Sequence, residues 1–505
     1  MLSPTVPADT ARSRLDRAFL HGLAWNAAGR WLSQVFRWIA TVLTAWFLTP
    51  ADFGIVGITM LIVGLLQYLA EFGIGAAIVQ DRSLESSTVR QIGGAAVLIA
   101  LALGLVMILT APIAAWFFEQ PVLSLMLTIM SIRLLIDAIA VVPRSVLVRD
   151  LEFRKLSVLE AGESIVMAGT TVLAAWLTRS PWAFILGNLV SGFVFVVAVT
   201  IVAGTGPAIP RAYSAIRSQV AFGSHVAVSR IAWYAYTNAD FAIVGRVMDA
   251  TVLGLYTFAW SIASLPAEKL AGMVIGVAPS IMSAARSATA DVRRYYLLLV
   301  RGVALITFPV AVGLALVSRD LVLAVFGMKW LGAVLPLQLL ALFFGVRSLA
   351  TLVPVVMISS GNPRVDRNNS LAFLVILPPL FLLTSRWGIS AVAATWLVAY
   401  PILFAMLGQR WVLRHLNIGI SEFLAELWPA LVSVGLMAAV VTLLSKLAFA
   451  ELPAALRLVF LSLAGALVYV VTIRTLFRRV FDAVLDLIRN RTSAANSSQP
   501  AQESS

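Results

Sequence analysis

Fourteen apolar runs of roughly twenty residues, joined by short polar segments, limit what this chain can fold into. A run of that length is what an α-helix needs to cross the hydrocarbon core of a bilayer. Inside lipid, only structures that satisfy every backbone N–H and C=O internally survive. The runs lie near 25–48, 53–78, 92–117, 122–147, 157–177, 181–203, 218–245, 252–276, 295–317, 331–358, 369–385, 388–411, 426–448 and 455–473. Of the 505 residues, 60% are hydrophobic and 12% charged, where a soluble domain carries about a quarter charged. The expected fold class is an all-α polytopic membrane protein with about 14 transmembrane helices.

The formal net charge of +13 is spread over short loops of alternate parity. With the N-terminus inside, the inner segments and adjoining span ends hold 23 lysines and arginines against 7 outside, which places both termini in the cytoplasm. A charge distributed in this way is an orientation signal and argues against nucleic acid as partner. Residues 1–16 are polar and hold Arg12 and Arg14 with no short apolar core after them, so the first span is expected to act as its own insertion signal.

Cysteine is absent, which removes disulfides, thiolate metal sites and cysteine nucleophiles together. None of the four lysines follows a glycine in a phosphate-loop pattern, and His21, His225 and His415 form no ligand spacing, so neither ATP chemistry nor a cofactor or metal is expected. No segment outside the spans is long enough for a catalytic domain, and the chain reads as a non-enzyme.

Two inside connections are longer than most. One of them, 204–217 with Pro207 and Pro210, divides an N-terminal six-helix bundle (1–203) from a C-terminal one (218–411). Two additional spans occupy 412–475. The tail 476–505 pairs an amphipathic stretch for the inner membrane surface with a disordered end rich in serine and alanine.

The stretch Trp25–Gly54 has a low-identity echo in His225–Gly254. Asn26, Arg30, Gln34, Arg37, Thr41 and Thr44 recur at steps of three and four, so they line one helix face. Arg30 is matched by Arg230, Gln34 by Tyr234, Arg37 by Thr237 and Gly54 by Gly254. A repeated membrane helix with arginine on its inner face fits a transporter built from two related halves.

Other polar groups sit deep in the runs: Gln67 and Glu71, Arg133 and Asp137, Glu160 and Glu163, Asn238 and Asp240, Glu268 and Lys269, and Arg347. A charge at mid-bilayer costs roughly 3 kcal/mol on insertion scales, so such groups face a bundle interior or a wet cavity. Arg133 and Asp137, one turn apart, either neutralise each other or meet substrate. Glu160 and Glu163 read as solvated groups near the cytoplasmic end, and Arg301 as a snorkelling one. Glu268 and Lys269, close after Pro266, mark a kink.

Several of these residues carry a resemblance to a known family. Gly22-Leu23-Ala24-Trp25, the polar helix, and Leu48-Thr49-Pro50-Ala51-Asp52-Phe53-Gly54 look like the opening of bacterial polysaccharide-repeat flippases. The branch is the colanic-acid-exporter-like one of the multidrug/oligosaccharidyl-lipid/polysaccharide exporter (MOP) superfamily. Glu71-Phe72-Gly73-Ile74-Gly75, Ile78-Val79-Gln80, Val142-Pro143-Arg144, Leu151-Glu152-Phe153-Arg154, Asn238 to Arg246 and Phe326-Gly327-Met328-Lys329-Trp330 follow in the family's order. Ala51 stands where an acidic residue is usual.

The resemblance implies two six-helix bundles facing a central cavity, with two peripheral helices. It implies movement of an undecaprenyl-diphosphate-linked oligosaccharide across the bacterial inner membrane, for surface or exopolysaccharide synthesis. Membrane lipids, a polymerase and other polysaccharide-assembly proteins are its implied partners. With that cargo, Arg30, Arg37 and Arg230 are expected to bind the diphosphate, because a guanidinium bonds phosphate bidentately and keeps its charge in a cavity. Gln34, Gln67, Tyr234 and Asn238 are expected on sugar, with Arg133 and Arg347 completing the substrate set. Glu71, Asp137 and Asp240 are the carboxylates expected to couple a proton or sodium ion. The alternatives are a multidrug antiporter of the same superfamily and a membrane polymerase or ligase. The deep charges, six basic and six acidic, do not separate the first of these from a flippase.

Overall fold

The computed structural model describes residues 34–71, 75, 78–79, 84–209, 231–275, 289–360 and 362–478. Among the described residues the regular structure is helical throughout. Twelve described helices are long and apolar enough to cross a membrane, and they coincide with twelve of the runs. The remaining two runs, 25–48 and 218–245, begin outside the described residues. Their described parts, 34–47 and 231–237 with Ala239–Val247, are helical. The chain is a multi-pass membrane protein.

One compact unit is Met1–Thr257 with Ser370–Ile389. Its helices are α1 (34–47), α2 (Pro50–Glu71), α3 (Ser86–Phe117), α4 (Val122–Arg149), α5 (Phe153–Thr178), α6 (Trp182–Ala203), α7 (Ala239–Val247), the opening turns of α8 (Ala250–Ile275) and, from its second segment, the greater part of a later helix that ends at Thr384. α3 runs along α4, α5 along α6, and α4 also packs on α6 and α2. The reason is a change of side-chain size around α3. Gly93, Ala96, Ala100, Gly104 and Ala111 are buried and let the backbone approach Met126, Leu127, Met130 and Leu134 of α4. Leu98, Leu101, Leu105, Leu109 and Ile113, at helical spacing on another face, are exposed. In a chain of this composition that face meets acyl chains.

The other unit is Phe258–Asn369 with Ser390–Ser505. It holds the rest of α8, then α9 (Thr289–Leu321), α10 (Val334–Ala350), α11 (Leu352–Ser359), the start of α12 (Pro363–Thr384), most of α13 (Ile389–Phe404), α14 (Arg410–His415), α15 (Ile420–Leu447) and α16 (Ala454–Leu476). α9 is its hub, packing on α10, α15 and α16. Tyr296, Val300, Val303, Leu352, Val356 and Met357 form one core, and Val317, Val434, Met437, Val441 and Leu461 a second against the last two helices. An aromatic cluster of Trp260, Phe343, Phe344, Trp396 and Tyr400 fills the space beside α10, with ring centroids 5.0 to 6.2 Å apart. Pro401 lies inside α13, and the five residues Ala405–Gln409 that follow wind as a π-helical turn.

Three ion pairs tie α9 to the last two helices. Arg293 Nη2 lies 2.7 Å from Glu422, Arg301 Nε 2.5 Å from Glu426, and Arg457 pairs with Asp320. Arg301 therefore turns to a neighbouring helix, where the sequence alone points to snorkelling.

Candidate functional site

The motif Leu48 to Gly54 builds the start of α2. Leu48 is completely buried. Thr49 caps α2 and Asp52 answers it: the Asp52 carboxylate accepts from the Thr49 amide at 2.8 Å, and the Asp52 amide donates to the Thr49 hydroxyl at 3.3 Å. Pro50 occupies the first helical position, where its missing N–H costs nothing. Phe53 meets Phe184 edge-on at 5.3 Å. Gly54 is where α2 crosses α8.

That crossing is reciprocal. A Cβ on Gly54 would overlap the Ala250 carbonyl, and a Cβ on Gly254 would overlap the Pro50 carbonyl. Residue 50 thus faces 254 while 54 faces 250, the arrangement of two like elements about a local two-fold axis. α8 opens with its own cap, the Asp249 carboxylate accepting from the Val252 amide at 2.8 Å. Further along the same face of α2, Gly57 lies against Thr257, and Gly64 leaves room for the phenol of Tyr234. Tyr234 donates to the Leu61 carbonyl at 2.8 Å, and its ring lies 5.2 Å from Tyr68. Tyr234, Ala250, Gly254 and Thr257 thus lie against one glycine-bearing face of α2, spaced as a helix face requires.

The second assembly is a polar network across α2, α4, α5 and α6. Arg133 Nε lies 2.9 Å from Asp137, and Nη2 donates to Glu163 at 3.1 Å. Nη1 donates to the Asn188 carbonyl at 2.5 Å. Gln67 donates to the other Asp137 oxygen at 2.8 Å. A Cβ at Gly192 would strike the guanidinium, so this glycine of α6 is the seat on which Arg133 rests. Beside it Arg144 Nη2 donates to Glu160 at 2.7 Å. Side-chain exposures of 14% for Arg133, 25% for Glu163 and 36% for Asp137 mark the network as half-sheltered. One guanidinium faces two carboxylates. Fully ionised, the trio carries one surplus negative charge.

The other expected residues are placed as follows. Arg30 and Arg230 lie outside the described residues, as does the side chain of Glu71. Gln34 is buried and Arg37 exposed on α1. Asn238 donates to the Tyr234 carbonyl at 2.9 Å and closes the helical stretch 231–237. Asp240 is fully buried and accepts from the Tyr256 hydroxyl at 2.6 Å. Arg347, in the other unit, lies over the rings of Phe343 and Phe344 at 5.9 and 5.4 Å. Of the expected set, Gln67, Arg133 and Asp137 come together.

Glu163 corrects the sequence reading. It is an ion-pair partner between helices, where solvation near the inner surface was expected. Asn188, Gly192 and Tyr256 are additions with no sequence signal: a backbone carbonyl, a glycine in an apolar run and a tyrosine at a buried position resemble ordinary packing residues.

A model of the polysaccharide biosynthesis protein family matches residues 43–335, a span that holds both assemblies. Similar curated proteins include the teichuronic acid biosynthesis protein TuaB of Bacillus subtilis, 25% identical over 80% of this chain and 84% of that one. The lipopolysaccharide biosynthesis protein WzxC of Escherichia coli is 24% identical over 69% and 70%. The succinoglycan biosynthesis transport protein ExoT of Rhizobium meliloti is 24% identical over 98% and 99%. Among solved structures, the lipid II flippase MurJ in an inward closed conformation superposes with a TM-score of 0.75 at 15% identity, over 90% of this chain and 99% of that one. A multidrug resistance MATE family transporter of the MOP superfamily superposes at 0.63, with 12% identity, over 76% and 95%. On the fold these transporters share, and with more than half its length matched by the family model, the chain belongs to the polysaccharide biosynthesis protein family.

Proposed function

We propose that this protein is a flippase that carries undecaprenyl-diphosphate-linked oligosaccharide repeat units from the cytoplasmic to the periplasmic leaflet of the bacterial inner membrane, by alternating access. The family match over residues 43–335 carries this reading, and the reciprocal crossing of α2 and α8 within that span supports it. Both helices begin on the side that the arginine count assigns to the periplasm, with both termini in the cytoplasm. In this reading the Gly54–Gly254 crossing closes the periplasmic side, and the six-helix bundles 1–203 and 218–411 rock about the cavity between them.

Arg30, Arg37 and Arg230 bind the diphosphate, because fixed guanidiniums replace the water that an anionic headgroup loses. Tyr234 and Asn238 flank the sugar path. Arg133, which pairs with two carboxylates and donates to a carbonyl, ties α4, α5 and α6 together. The surplus carboxylate of that network and Asp240 are the sites for a coupling proton or sodium ion.

A deletion strain tests this reading. Lipid-linked repeat units are expected to accumulate where externally added reagents cannot reach them, with surface polysaccharide lost. Normal polysaccharide with raised drug sensitivity would make the chain a multidrug antiporter. Externally reachable but unpolymerised units would make it a polymerase.

A further inference from the structure

Between the opening turns of α9 and α15 lies an open groove of about 490 Å3. Arg293, Arg294 and Arg301 line it from α9, with Leu297 and Leu298 between them, so the residues recur at steps of three and four on one helix face. Glu422 and Glu426 line it from α15. Two of the arginines are held by these glutamates, Arg293 by Glu422 at 2.7 Å and Arg301 by Glu426 at 2.5 Å. Arg294 is exposed and has no hydrogen-bond or ion-pair partner among the described residues. The lining therefore carries three positive and two negative charges, a surplus of one positive.

Its position is interfacial. The spans Val292–Phe326 and Ile420–Leu447 both begin at the groove. Exposed apolar side chains lie in and beside it: Leu298 on α9, Leu424 and Trp428 on α15. A basic site at headgroup depth above an apolar flank fits an amphiphile with an anionic head.

We propose that this groove binds the phosphodiester headgroup of one anionic phospholipid, with Arg294 on the phosphate and the acyl chains along Leu298 and α15. Charge decides between a phospholipid's phosphodiester and a polyprenyl diphosphate. One guanidinium unopposed among the described residues balances the single charge of a phosphodiester, whereas a polyprenyl diphosphate carries two or more charges and would leave at least one of them unmatched. The site would anchor α9 and α15 to the lipid annulus, and it stands whether or not the transport reading holds.

Native mass spectrometry of the full-length protein in detergent tests it, with phosphatidylglycerol, phosphatidylethanolamine and a polyprenyl diphosphate as probes. Phosphatidylglycerol should be retained over the zwitterionic lipid. Arg294→Ala and Arg294→Gln should each weaken that retention about fivefold, the worth of one arginine at a membrane surface. Arg386→Ala, which removes an exposed arginine of the segment after α12, should leave it unchanged. Undiminished phosphatidylglycerol binding in both Arg294 variants would overturn the proposal. So would loss of polyprenyl diphosphate binding alone, which would give the groove to the carrier lipid.

Discussion

At the scale of single residues, the determining act is the choice of what stands opposite an arginine. Arg133 occupies three acceptors on three helices, and Gly192 exists to let it do so. Replacing it with methionine keeps the length and removes the charge, leaving Asp137 and Glu163 uncompensated at membrane depth. Arg133→Met is expected to destabilise the protein by about 3 kcal/mol, the lower end for breaking a sheltered pair, read as a fall in the thermal midpoint of purified protein. Adding Asp137→Asn and Glu163→Gln to it should recover more than half of the loss, because the penalty lies in the orphaned charges. The sequence displays Arg133 and Asp137 as neighbours since they sit four apart on one helix. Glu163 is thirty residues further along the chain, on another helix, and no local period connects it to Arg133.

At the scale of elements, the spans were legible and their ends were not. An apolar run of twenty residues is a local property, and twelve of the runs emerge as helices. The helices outrun them. The run near 295–317 becomes a span from Val292 to Phe326, because Arg293 and Asp320, which break the apolar count, are paired with Glu422 and Arg457. These two pairs hold α15 and α16 to α9 near its two ends, and they differ in shelter. The Asp320 side chain is 8% exposed, whereas that of Glu422 is 35% exposed. Asp320→Ala is therefore expected to cost about 3 kcal/mol as a buried pair loses one partner. Glu422→Ala should cost below about 1 kcal/mol as a solvent-screened one. Thermal unfolding of the two variants side by side checks the order, and equal losses would contradict this account of how the last helices are held.

At the scale of the whole molecule, the echo between residues 25–54 and 225–254 was legible as a hint of two related halves. Its sharpest outcome is the meeting of Gly54 with Gly254. What the sequence withheld was that the matched glycines touch, since alignment of two copies says nothing about which face each presents. The chain contains no cysteine, so a designed pair reports on this crossing without background. A Cβ at Gly57 stands 3.6 Å from the Thr257 Cβ, within the range a disulfide bridges. The double variant Gly57→Cys with Thr257→Cys is the most direct measurement of whether the crossing of α2 and α8 opens during transport. The account predicts that oxidation forms the disulfide, stops surface polysaccharide export, and traps lipid-linked repeat units on the cytoplasmic side, with export restored by a reductant. Complete disulfide formation with export unchanged would contradict it.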